Sequence, residues 1–254
     1  MHPGPPRNLL SFLGAEHENE LVSTHKHVRD LDMLSHIDGL FQAPVAHLDV
    51  PKGQHAVAQL YLFIHYHLYS TVANLMRLHV AEALGCERKA IDAALTAYEL
   101  LTDPASAPAY EAREWKFLTI KAFIERERKK DSTVYPLADE LIKAWNMCAE
   151  FGAHADSNTF ALRLDQVPVE NNPDQQKLYF LYFQAPATTD EAHLYYVDAF
   201  ATFLTMTRIF DPFIKNCAKG FPFEDWATRR DQLEGVVRAE LARLHSRIAA
   251  PSNL

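Results

Sequence analysis

The chain has 254 residues, a formal charge of −8, and 48% apolar against 23% charged residues. That is enough length and apolar content for one domain with a substantial core. No apolar run approaches the roughly 20 residues that cross a bilayer, and an acidic balance disfavours a general nucleic-acid-binding field while leaving local basic patches open.

Residues 1–8 are Pro-rich, and residues 1–54 read as an N-terminal arm with short helical turns, carrying five histidines from His17 to His47. The bundle domain is expected over 55–254. Its first strong helix runs from about His55 to Leu84, with Leu60, Phe63, Ile64, His67, Thr71, Asn74, Leu75 and Leu78 at helical spacing. Gly85 is expected to stop it, since glycine suits the left-handed position after a helix. A second helix is predicted over Glu87–Leu101. TDPASAP then breaks the pattern, a third helix spans about Tyr110–Lys130, and a fourth spans about Val134–Phe151.

TFALRLD alternates and LYFLYFQ is dense in aromatics, so a β-hairpin is expected with strands near 159–165 and 178–184. A lone hairpin is barely stable in water, so it should pack on the helices. Thr188 or Thr189 caps a fifth helix with Asp190 and Glu191 in its first turn. That helix runs to about Ile209 and continues past Pro212 with a kink. The last helix covers about Asp225–Ile248, with Leu233, Val236, Val237, Leu241 and Leu244 on one face. The fold class is therefore mainly α, a multi-helix bundle with an inserted β-hairpin.

The residues that would carry chemistry form loose sets. His67, Thr71 and Asn74 make a polar seam in the first strong helix, either a buried hydrogen-bonded network or one wall of a pocket. His154 follows a helix end with Asp156, Ser157 and Asn158, a cluster suited to capping or to contact with a ligand or partner. The thirteen histidines include no HExxH or ExxH spacing, so no metal is assigned. No Gly-rich phosphate loop, GxGxxG or GxSxG occurs, and no cofactor is assigned. Three scattered cysteines without a CxxC pair, and a start lacking a signal pattern, suggest a reducing, cytoplasmic setting.

Two stretches together carry a resemblance. TVANLMRLHVAEAL (71–84) is similar to the LLRxxxEA helix of HEPN-like prokaryotic helical proteins. WNMCAEFGAHADS (145–157) resembles their later helix, which ends in an aromatic–small–x–His step. The resemblance implies a dimerising all-helical bundle, often in defence or toxin systems, with some members cleaving RNA through an Arg-x4–6-His pair. His154 is the matching histidine. The arginine would fall within Met147–Ala149, where there is none, so that pair is not intact here. Arg77 and Glu82 match the earlier helix, as an ion pair that orients helices.

The leading expectation is a non-catalytic interaction or small-ligand-binding homodimer. The aromatic load of LYFLYFQ and of the 190–210 helix points to the dimer. A HEPN-type ribonuclease using His154 with Arg77 or Arg163 is the alternative, and a metal-dependent helical-bundle hydrolase is the third reading.

Overall fold

The computed structural model describes residues 6–112, 114, 117–152, 164–169 and 172–249. It is a mainly α multi-helix bundle. In chain order the described α-helices are α1 (Leu9–Lys26), α2 (Val28–Val45), α3 (His55–Met76), α4 (Val80–Thr102), α5 (Ala107–Glu111), α6 (Phe117–Lys130) and α7 (Ala138–Gly152). After a hairpin of β1 (Leu164–Val169) and β2 (Asn172–Phe180) come α8 (Thr189–Ile209), α9 (Asp211–Cys217) and α10 (Phe223–Ala249). Short 3-10 turns lie at Lys52–Gln54 and Pro104–Ser106.

α4 and α8 form the middle of the bundle. α4 packs on α3, α6, α7 and α8, while α8 packs on α2, α3, α7 and α10. Their apolar content explains the position. α8 buries Tyr196, Phe200, Phe203, Leu204 and Met206, and a helix apolar round most of its circumference needs neighbours on every side. Its N-terminus is fixed by Thr188, whose hydroxyl accepts from the Glu191 N–H, while the Glu191 carboxylate accepts from the Ala187 N–H at 2.7 Å. The chain turns at Phe210, and α9 begins with Pro212 in its first turn, where the missing N–H is harmless.

The first 45 residues are not an arm of short turns. α1 and α2 are 18 residues each, and α2 carries Ile37 and Phe41, both fully buried, into the core. The Phe41 carbonyl accepts from the Tyr61 hydroxyl at 2.9 Å, and the Leu40 carbonyl accepts from the Trp226 indole N–H at 2.9 Å. These bonds satisfy large aromatic side chains that bring a polar atom inside.

The long helix expected over 55–84 is two helices. α3 ends at Met76, and Gly85 lies inside α4. The stop is made by Leu78, which adopts the left-handed conformation with φ +63°. Its N–H bonds to the Leu75 carbonyl at 3.0 Å, and the His79 N–H bonds to the Asn74 carbonyl at 2.8 Å. These are the two bonds of a Schellman C-cap, made by leucine at a cost of about 1–2 kcal/mol. Gln184 offsets it. Its backbone N–H donates to the Leu78 carbonyl at 2.7 Å, and its side-chain oxygen accepts from the Ala81 N–H at 3.0 Å. α4 has no side-chain cap of its own, so a residue about a hundred positions later supplies one of the acceptors that a helix start needs.

The hairpin exists, with shifted strands. Leu164 pairs with Phe180 and Val167 with Lys177, antiparallel, and the register shifts between Pro168 and Val169. The segment read as its loop, QVPVENNPDQQK, forms most of the ladder. Pro168 and Pro173 lie within strands, as proline can where a strand has a neighbour on one side, and among the described residues the sheet has two strands. LYFLYFQ divides. Leu178, Tyr179 and Phe180 are exposed, whereas Phe183 stacks on Phe12 of α1 at 5.5 Å and lies tilted against His79 at 5.4 Å.

A cavity between four helices with buried acids

Four helices bring one face each to a common cavity of about 250 Å³. On α4, Val80, Ala83, Leu84 and Glu87 contribute, the i, i+3, i+4, i+7 pattern of a single face. Thr71 and Leu75 of α3, Met147 and Phe151 of α7, and Leu194, Tyr195, Asp198 and Ala199 of α8 complete the walls, with His245 of α10. The lining is mainly apolar and carries a small number of polar groups, the composition of a small-molecule site.

Those polar groups are unusual in their surroundings. Glu87 is 2% exposed and Thr71 1% exposed. The Oε1 atom of Glu87 and the hydroxyl of Thr71 have no hydrogen-bond partner. Buried polar atoms are rarely left so, because an unmet one costs roughly 1–3 kcal/mol. Burial first, and then the charge of Asp198, push the Glu87 carboxyl up to about 8, against hydrogen bonds from Thr202 and Cys148. Asp198 is also raised by burial, with His245 and Lys143 pulling it back. The Cys148 thiol, fully buried, is pushed up by burial and by Glu87 and Asp198. It is an inert thiol, since reactivity belongs to the thiolate.

A second polar cluster ties α1 and α2 to α8 and α10. Asp30 is 3% exposed. It accepts from His27 Nδ1 at 2.9 Å and from His193 Nδ1, and the other nitrogen of His193 bonds to Glu240 at 2.9 Å. Arg243 donates to both oxygens of Glu240, at 2.6 Å to Oε1 and 2.7 Å to Oε2. Burial raises Asp30, but the bonds from His193 and His27 outweigh it and hold the carboxyl below its ordinary range. Asp30, and then Glu240, raise His193 against its desolvation. Two carboxylates around one imidazole favour its charged form, and the bonds tie three helices together.

The residues nominated from sequence are distributed as follows. Thr71 lines the cavity. His67 packs edge-on against Phe63 at 4.3 Å and is lowered by burial. Asn74 bonds to the Ser70 carbonyl at 2.8 Å and to Cys86 at 3.5 Å. Arg77 sits in the α3–α4 connection, where its Nε donates to the Ala73 carbonyl at 3.0 Å and its guanidinium lies 4.0 Å from Glu16 of α1. Glu82 lines a surface groove with Phe12, His79 and Tyr182. His154, Asp156, Ser157 and Asn158 lie outside the described residues.

Sequence reading did not single out Glu87, Asp198 or His245. The available signal was Glu87 itself, a carboxylate at a position of α4 whose i−4, i−3 and i+4 neighbours, Ala83, Leu84 and Ile91, are all apolar. Among the described residues no group of three or more His, Cys, Asp or Glu side chains is placed to hold a metal ion, and no helix is long and apolar enough to cross a membrane. No protein-family model, curated protein sequence or solved structure matches this chain.

Proposed function

We propose that this protein binds a small, largely apolar molecule in the cavity between α3, α4, α7 and α8, and that binding is its function. The observation that carries the reading is the pair of unpartnered polar atoms, Glu87 Oε1 and Thr71 Oγ1, on the wall of an apolar cavity. A ligand with one polar end would satisfy them while its body buries the apolar lining. The test is calorimetric titration with toluene and indole, which fit a cavity of this size. Saturable binding is expected, lost in Ala83→Phe, whose ring fills the space from α4; Ala199→Met serves as a second block if the first variant fails to fold. Absence of binding to the unmodified protein, or binding unchanged in a folded blocked variant, refutes the reading.

We further propose that the protein works as a homodimer. The aromatic residues of α8 lend no support, because they are consumed by the core. The support is the hairpin, which offers Leu178 at 63% and Phe180 at 44% exposure on a two-stranded ladder. A second copy pairing along such an edge would cover both. Light scattering should give twice the chain mass at micromolar concentration, and a paired Leu178→Ser and Phe180→Ser change should halve it. A monomeric mass for the unmodified chain overturns the proposal. Free Cys86, Cys148 and Cys217 suit a reducing, cytoplasmic setting.

A further inference from the structure

We infer that the occupant of the cavity is an organic amine, a compact apolar body with one ammonium group held between Glu87 and Asp198. The inference rests on the binding reading above and adds the chemical class of the ligand.

The argument begins with what faces the space. Carboxyls enter from two different helices, Glu87 from α4 and Asp198 from α8. They are near enough that the charge of Asp198 opposes ionisation of Glu87. Among the described lining residues there is no lysine or arginine, and His245 is the one group able to carry positive charge. Lys143 of α7 acts on Asp198 without lining the cavity. Two acids in apolar walls are a poor arrangement for an empty hole, since Glu87 is pushed toward its neutral form and Asp198 has only His245 in the lining and Lys143 behind it as positive charge. A cation supplied from outside resolves it.

The donor count agrees. An ammonium group has three donors and no acceptor. The cavity presents acceptors in the unpartnered Glu87 Oε1, the Asp198 carboxylate and the unpartnered Thr71 hydroxyl oxygen. The rings of Phe151 and Tyr195, which also line the cavity, offer further attraction to a cation. An anion would meet two acids instead. A neutral alcohol would leave at least one of these acceptors unmet, and unmet buried groups are what let a site reject an analogue. An engineered cavity of about 150 Å³ holds benzene, so this one accommodates on the order of ten non-hydrogen atoms.

Without ligand Glu87 keeps its proton at neutral pH. An ammonium enters beside a carboxylate, so binding releases that proton to solvent, and the amine should bind more tightly as pH rises toward 8. The groups facing Glu87 that share in this titration are Asp198 of α8, with Thr202 beside it, and Cys148 of α7. His245 of α10, together with Lys143 and Glu140 of α7, acts through Asp198. Arg88 and Asp92 of α4 act through Cys148.

The experiment titrates the full chain calorimetrically with 2-phenylethylamine, 2-phenylethanol and phenylacetate, alongside toluene. The amine is expected to bind at least about tenfold tighter than the alcohol and phenylacetate not at all, a discrimination typical of unmet buried hydrogen-bonding groups. Amine affinity should rise roughly 25-fold between about pH 6.5 and 8.5 as Glu87, at about 8 without ligand, gives up its proton more easily. Glu87→Gln should cost the amine about tenfold and leave the alcohol within twofold; Asp198→Asn should act in the same direction. Toluene binding combined with no preference for the amine, or with an amine affinity unmoved by Glu87→Gln, overturns the amine inference and leaves the cavity reading standing. No binding of toluene or of any of the three overturns both.

Discussion

Replacing Glu87 by glutamine should stabilise the protein, and by an amount that grows with pH. The carboxyl has a value of 4.5 when free and about 8 in the folded chain, so the folded state holds the proton more tightly than the unfolded state. An acid raised in this way costs nothing below about pH 4.5. Its cost accumulates as pH rises, because unfolding then lets the group ionise, and it levels off above the native value. At about 1.4 kcal/mol per pH unit across that interval, Glu87 lowers stability by about 3 kcal/mol at pH 7 and by less than about 1 kcal/mol at pH 5. Glutamine keeps the shape and a hydrogen-bonding end without the ionisation. Urea unfolding of the two proteins, followed by circular dichroism at several pH values, measures the difference directly. Glu87→Gln should be the more stable protein at neutral pH, and the gap should close on acidification. A gap that does not vary with pH, or a variant less stable at pH 7, would refute the assignment of Glu87 as a protonated buried acid.

Two other changes test the ties between helices. Gln184→Ala removes the acceptor of the Ala81 N–H and should lower stability by about 1–2 kcal/mol, read as a shift in urea midpoint; an unchanged midpoint would deny the remote cap. His193→Gln breaks the link between Asp30 and Glu240 and should cost about 1–3 kcal/mol near pH 6. Because His193 is raised above 6.5 in the folded protein, its contribution is complete below that value and lost as pH rises through the native one. The penalty of His193→Gln should therefore shrink in alkaline solution, and a penalty constant with pH would count against a charged imidazole.

The parts of the fold legible in the sequence were those whose apolar stripe and end signals agree. The 134–151 and 190–209 segments have a clean helical period, and Thr188 with Glu191 marks a start that matches the observed cap. The break after Met76 was hidden, because a leucine occupies the left-handed position where glycine is expected, and its compensation comes from Gln184, far along the chain. α1 was hidden for a different reason. Leu9, Leu10, Leu13 and Leu21 are exposed, so its apolar residues do not form a core-facing stripe. The hairpin strands expected from the sequence lie too far apart because strand propensity favours the aromatic run, while the paired segment is a polar one with two prolines. In the cavity, Thr71 was within reach of sequence reasoning as a polar residue on a helical stripe. That Glu87 and Asp198 face each other was not, because it depends on how α4 and α8 cross.

The strained turn and the cavity are one arrangement. Leu75 is the last cavity residue of α3 and Val80 the first of α4, and Leu78 lies between them. A straight helix through this point would carry the residues from Val80 to Glu87 along the axis of α3, away from Thr71. The reversal at Leu78 folds α4 back, so that Ala83 and Glu87 lie across the same space as Thr71 and Leu75. On the outer side, the His79 bond to Glu16 at 2.9 Å, the stacking of Phe12 on Phe183 and the two bonds of Gln184 all converge on the turn. Backbone strain of this kind persists only where its surroundings over-determine it. Here the surroundings are two separate chain segments, α1 and residues 183–184, and what they hold in place is the corner that opens the cavity around its two acids.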